Sequence, residues 1–185
     1  MNFHGHMVGG VVAGVVAVAV GLAAGELDYV PLSVDIDWRD AATQKGAAVF
    51  VTALFMSLFP DLDTASVIQR WFYRAMFILM AVVYFNGRFD VFVLLAFLAL
   101  LPAIHQHRGW THWPLTPWLV ALFFSVVHEY YRVRGFWFLD FTWSHVLTFF
   151  GKYWLFVGAC ILGHYTHLIL DSKGVRLFRN EIGHH

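Results

Sequence analysis

The chain has 185 residues, of which 59% are hydrophobic and only 13% charged, with a mean hydropathy of +0.64. Soluble domains carry about 25% charged residues, so this deficit excludes an ordinary soluble fold and points to a polytopic membrane protein. The formal net charge is zero, which leaves no global field to attract nucleic acid, and the single Cys160 excludes both an intramolecular disulfide and a multi-cysteine zinc site.

The first apolar segment runs from about Val8 to Ala24. Met1 to Met7 holds no Lys or Arg, so it lacks the basic start of a secretory signal and reads as a retained transmembrane helix. Gly10 with Gly14, and Gly21 with Gly25, are four apart and suit close helix packing as well as ordinary membrane composition. A polar loop follows over Glu26 to Lys45. A second apolar segment, Gly46 to Phe59, stops at Pro60-Asp61-Leu62-Asp63. The third covers about Trp71 to Phe85 and ends at the turn signal Asn86-Gly87-Arg88. The fourth, Phe89 to Ile104, leads into His105-Gln106-His107-Arg108-Gly109-Trp110-Thr111-His112. A fifth spans Trp113 to Val127, an aromatic-rich loop covers Glu129 to Ser144, and a sixth runs from His145 to Leu170.

The expected fold is therefore an all-α, polytopic integral membrane helical bundle. It would be a single domain over residues 1–185 with about six transmembrane helices, or five if the second or third segment is re-entrant. Several segments fall short of the roughly 20 residues a span needs and must borrow flanking residues or tilt. With six spans, one membrane face collects His6, Asp61 and Asp63, the His105–His112 stretch, and His167 with Asp171. Lys and Arg divide evenly between the two faces, so the positive-inside rule does not orient the chain. The basic tail after Asp171 leans towards a cytoplasmic motif face.

Ionisable groups beside apolar segments need partners, and these residue types suggest which. His167 and Asp171 are four apart and share a helix face with His164. Imidazole nitrogen and carboxylate oxygen suit Zn²⁺, Mn²⁺ or Fe²⁺, while an ordinary helix-end ion pair is the alternative. Asp61 and Asp63 repel each other unless a cation or an Arg lies between them, or else one of them caps the next helix. His107 and His112 flank Gly109, where the backbone can turn so that both rings face inward. Arg108 would present a planar fork to a phosphate or carboxylate, and Thr111 would donate to an oxyanion or to a ligand. His6 is a further candidate ligand, with His4 as its competitor. His128-Glu129-Tyr130-Tyr131-Arg132 begins like a zincin motif but has Arg where the second His belongs.

These motifs together resemble the family of membrane-bound, metal-dependent hydrolases typified by YdjM. The matching pieces are His6 with Gly10, Pro60-Asp61-Leu62-Asp63, His107-Arg108-Gly109-Trp110-Thr111-His112, and His167-Leu168-Ile169-Leu170-Asp171. The resemblance implies an inner-membrane protein with one or two divalent transition metals, most simply Zn²⁺, held by His6, Asp61, Asp63, His107, His112, His167 and Asp171. Thr111 and His164 would support those ligands. The implied reaction is hydrolysis of a phosphoester in a lipid or lipid-linked substrate, with Asp63 or Asp61 as base and Arg108 on the phosphoryl oxygens. A non-catalytic, metal-stabilised scaffold, alone, as a homo-oligomer or as a subunit of a membrane complex, is the rival reading. A transporter ranks last, because the ionisable residues crowd one end of the helices.

Overall fold

A computed structural model gives the fold and describes residues 3–27, 40–63, 66–101, 109–133 and 140–172. Among these there are helices and turns and no strands. The helices are α1 (Phe3–Ala23), α2 (Ala41–Leu58), α3 (Val67–Phe85), α4 (Phe89–Leu100), α5 (Thr116–Arg132), α6 (Trp143–Lys152) and α7 (Trp154–Asp171). Short 3-10 turns occupy Phe59–Asp63 and Trp110–His112. The chain forms two compact units, one of Met1–Ser57 with Pro114–His185 and the other of Leu58–Trp113.

In the first unit, α1 buries one stripe, His6, Gly10, Ala13, Gly14, Ala17 and Gly21. That spacing follows the period of 3.6 residues per turn. The stripe is built of small residues because neighbouring helices come close. A Cβ on Gly14 would meet the Phe50 ring at 2.6 Å, and one on Gly10 would meet Leu54 at 2.8 Å. α7 approaches α2 more closely still, since a Cβ on Gly163 would run into the backbone carbonyl of Ala53. Ala13, Ala17, Leu27, Val49, Ala53, Leu155 and Ala159 form the core of this unit. The 21 residues of α1 rise about 31 Å at 1.5 Å per residue, the thickness of a bilayer core.

At one end of this unit, α1 closes with Gly25 at φ +70 and a bond from Glu26 N–H to the Gly21 carbonyl, the Schellman arrangement that glycine permits. Glu26 then ties three helix ends together. It accepts from the Lys45 ammonium at 3.1 Å and from the Trp154 indole N–H at 3.0 Å. These donors hold its carboxyl below the usual carboxylate range, the indole hydrogen bond being the larger cause. At the opposite end, the start of α1 lies beside the end of α7. The two helices are thus antiparallel.

In the second unit, α3 and α4 form an antiparallel hairpin through Asn86-Gly87-Arg88, where Gly87 has φ +70. The Ser66 hydroxyl accepts from Gln69 N–H and caps α3, so neither Asp61 nor Asp63 serves as that cap. Neither α3 nor α4 buries a residue, as befits helices that face lipid.

Among the described residues, four stretches are long and apolar enough to cross a membrane: His4–Ala23, Ala41–Asp63, Val67–Phe85 and Trp154–Asp171. Phe89–Leu100 is apolar but shorter. Several boundaries differ from the sequence expectation: α1 begins at Phe3, and α2 begins at Ala41, inside the expected polar loop. The stretch expected as one span, His145 to Leu170, is broken into α6 and α7 at Tyr153, whose φ −113 and ψ 26 leave the helical region. The expected loop at Glu129 is instead the last turn of α5. Glu129 stays helical and buried there because Arg132 grips it with two 2.6 Å bonds, and Thr142 N–H and the His145 ring add to them at 3.2 Å.

Candidate metal centre

In the first unit, the start of α1 and the end of α7 bring together His6, His167 and Asp171. The His6 and His167 rings stack with centroids 4.0 Å apart and planes 16° from parallel. His6 Nε2 is 3.4 Å from Asp171 Oδ1, and His167 Nε2 is 3.8 Å from Asp171 Oδ2. Two imidazoles and one carboxylate thus converge from residues more than 150 positions apart in the chain. His6 is 2% exposed and His167 0%, whereas the Asp171 side chain is 19% exposed.

Ser57 fixes the tautomer of His167. Its backbone carbonyl lies 2.8 Å from His167 Nδ1, and a carbonyl can only accept, so Nδ1 carries the proton. In the neutral ring, Nε2 then presents a lone pair on the side of Asp171. An imidazole lone pair and a carboxylate oxygen repel unless something positive relieves them. Metal-binding histidines characteristically donate their other N–H to a backbone carbonyl or carboxylate, and His167 has that arrangement. His6 adds a buried Nδ1 with no hydrogen-bond partner, a costly state for a polar atom. The Ser57 hydroxyl donates to the His6 carbonyl at 3.1 Å, so one residue positions both histidines. Buried His and Asp groups here could hold a metal ion, and the donor set of two imidazoles and a carboxylate fits a first-row divalent cation.

The second unit contains a carboxylate clasp. Asp63 Oδ2 accepts the Thr111 hydroxyl at 2.6 Å and the Gly109 N–H at 3.2 Å, with His112 Nδ1 at 3.7 Å. Its other oxygen, Oδ1, is buried and has no hydrogen-bond partner. Thr111 is fully buried and lies beside His112 Nδ1 at 3.3 Å. The central motif and the Pro-Asp-Leu-Asp motif therefore meet directly through Asp63. Phe59 packs edge-on against Trp110 at 5.7 Å and supports the same junction. Asp61 is half-buried, and its backbone carbonyl accepts from Ser66 Oγ at 3.0 Å.

The other candidates fall as follows. His4 is exposed, and His6, two residues on, is the one turned inward. His164 is fully buried one turn before His167. His128 packs against Phe149 and Tyr153, apart from the His6 cluster. Among the expected site residues, His107 and Arg108, along with neighbouring His105, lie outside the described residues. Ser57 carried no signal in the sequence, because its contributions are a backbone carbonyl and a hydroxyl inside an apolar run.

The fold and this cluster define a class: an α-helical, polytopic membrane protein with His and Asp side chains gathered at the ends of its helices. A family model described as YdjM inner membrane protein matches residues 1–179. The chain belongs to that family and is an inner membrane protein. No curated protein and no solved structure matches it.

Proposed function

We propose that the protein is a membrane-embedded, metal-dependent hydrolase that cleaves a phosphoester in a lipid or lipid-linked substrate. The observation that carries this reading is the convergence of His6, His167 and Asp171 at one end of apolar helices, with His167 held in the tautomer of a ligand. His107, His112, Asp61 and Asp63 would complete the donor set. With seven candidates, more than the four ligands of a tetrahedral Zn²⁺, either two ions bind or some of these residues only orient the others.

A divalent cation at the cluster would polarise a phosphoryl oxygen and acidify a nearby water. The residues supply the rest. Asp63 Oδ1, left open by the Thr111 and Gly109 contacts to Oδ2, accepts a proton from the attacking water. The water oxygen bonds to phosphorus, the ester P–O bond breaks, and the departing alkoxide takes up the proton that Asp63 holds. Arg108 steadies the phosphoryl oxygens as charge builds on them. A site at the interface meets an amphiphile without extracting it from the bilayer, and a motif face on the cytoplasmic side would draw on inner-leaflet lipids.

The near-complete burial of His6 and His167 favours a second reading, a closed structural metal site in a membrane scaffold. Release of phosphorylated headgroup and diacylglycerol from phospholipid micelles, measured for wild type and Arg108→Gln, separates the two. A hydrolase loses about 10²- to 10³-fold in rate in the variant while its metal content is unchanged. A metal-loaded wild-type protein with no hydrolysis of any phospholipid supports the scaffold.

A further inference from the structure

Two guanidiniums at the start of α3 take no part in the metal cluster. Arg70 and Arg74 are four residues apart, so they lie on one helix face, and both are exposed. Among the described residues, neither has a carboxylate within ion-pair distance. The Arg74 Cζ instead sits 5.7 Å from the Trp71 ring centroid, and that ring is 64% exposed.

The helix that carries them buries no residue and is apolar enough to span a membrane. Phe77 and Ile78 follow Arg70 by seven and eight positions, which returns them to the same face about 10–12 Å deeper. They are 75% and 62% exposed. The face therefore reads, from the membrane boundary inward, as two unpaired cations, an interfacial tryptophan and then exposed hydrocarbon. Trp marks the headgroup level of a bilayer, and an unpaired arginine at that level finds its counter-charge in the lipid.

We propose that Arg70, Trp71 and Arg74 bind the headgroup phosphate of an anionic phospholipid, with an acyl chain lying along Phe77 and Ile78. The arginine fork accepts phosphate oxygens in pairs and cannot be neutralised by deprotonation. A zwitterionic choline headgroup is matched less well, because its own cation meets the second arginine. This surface is independent of the metal reading, and its occupant is lipid whether or not the protein hydrolyses lipid.

The test is native mass spectrometry of the full, detergent-purified chain titrated with phosphatidylglycerol or phosphatidylcholine. Wild type should retain phosphatidylglycerol in preference, by on the order of tenfold for two charge-assisted contacts. R70Q/R74Q should bring the two lipids near parity, and R70K/R74K should keep part of the preference. The melting midpoint of R70Q/R74Q, measured on the same samples, should match wild type, which shows that the fold is intact. An undiminished phosphatidylglycerol preference in R70Q/R74Q, or equal retention of both lipids by wild type, would overturn the proposal.

Discussion

Asp63 shows how one side chain is prepared by its neighbours. One carboxylate oxygen is occupied by Thr111 and Gly109, and the other is buried and open. Because Thr111 is fully buried, Thr111→Val leaves Asp63 without its shortest donor and should cost about 1–3 kcal/mol of stability. Thr148→Val should cost less than about 0.5 kcal/mol, since Thr148 is exposed and bonds only to its own helix at Ser144 O. Melting of the two detergent-solubilised variants checks this, and equal midpoints would show that the clasp has no energetic weight. The sequence displayed Thr111 as a donor in a motif but left its acceptor open, either an oxyanion or a ligand. The structure gives the acceptor, the Asp63 carboxylate. It also gives Ser66 as the cap of α3, so neither aspartate serves as that cap. What the sequence could not show at this scale was Ser57, because a backbone carbonyl acting on His167 belongs to any residue type.

At the scale of the helix, most of the packing was legible as spacing. The buried stripe of α1 repeats at the α-helical period, and the Asn86-Gly87-Arg88 turn falls where its glycine predicts. The pairing of Gly21 with Gly25 was only half right. Gly21 packs against Leu27 and Leu155, whereas Gly25 serves the turn and faces open space. The break at Tyr153 was hidden because the sequence remains apolar on both sides of it. The last turn of α5 was hidden because a buried Glu reads as a loop until its Arg132 partner is seen. The tightest crossing, Gly163 on the Ala53 backbone, makes a direct prediction. Gly163→Ala should destabilise the protein by about 1–3 kcal/mol, because a backbone cannot swing aside as a side chain does. Gly158→Ala, on the same helix with nothing within 4 Å, should be neutral or stabilising by up to about 1 kcal/mol. Thermal melting of the pair tests the crossing, and similar midpoints would mean that α2 and α7 are not in contact there.

For the molecule as a whole, the first unit has two chemically distinct ends, a Glu26 clasp at one and the His6, His167 and Asp171 cluster at the other. The clasp makes stability depend on pH in a definite direction. The Glu26 carboxyl is depressed in the folded state, so its contribution is complete above the unfolded value of about 4.3 and is lost as pH falls through the lower folded value. Glu26→Gln should therefore melt below wild type at about pH 7, and the gap should narrow as pH falls below about 4. A gap that does not change with pH would contradict this. The cluster at the other end was foreshadowed by spacing only for His167 and Asp171. His6 was expected on the same face from the parity of the spans and from the family resemblance, and the antiparallel run of α1 and α7 brings its ring to Asp171. Metal binding there is the central claim, and elemental analysis of detergent-purified wild type beside His6→Ala, Asp171→Ala and His128→Ala tests it most directly. About one or two equivalents of a transition metal in wild type, strongly reduced in His6→Ala and Asp171→Ala and retained in His128→Ala, is the predicted result. Equal metal in all four proteins, or none in wild type after incubation with Zn²⁺ or Mn²⁺, would contradict it.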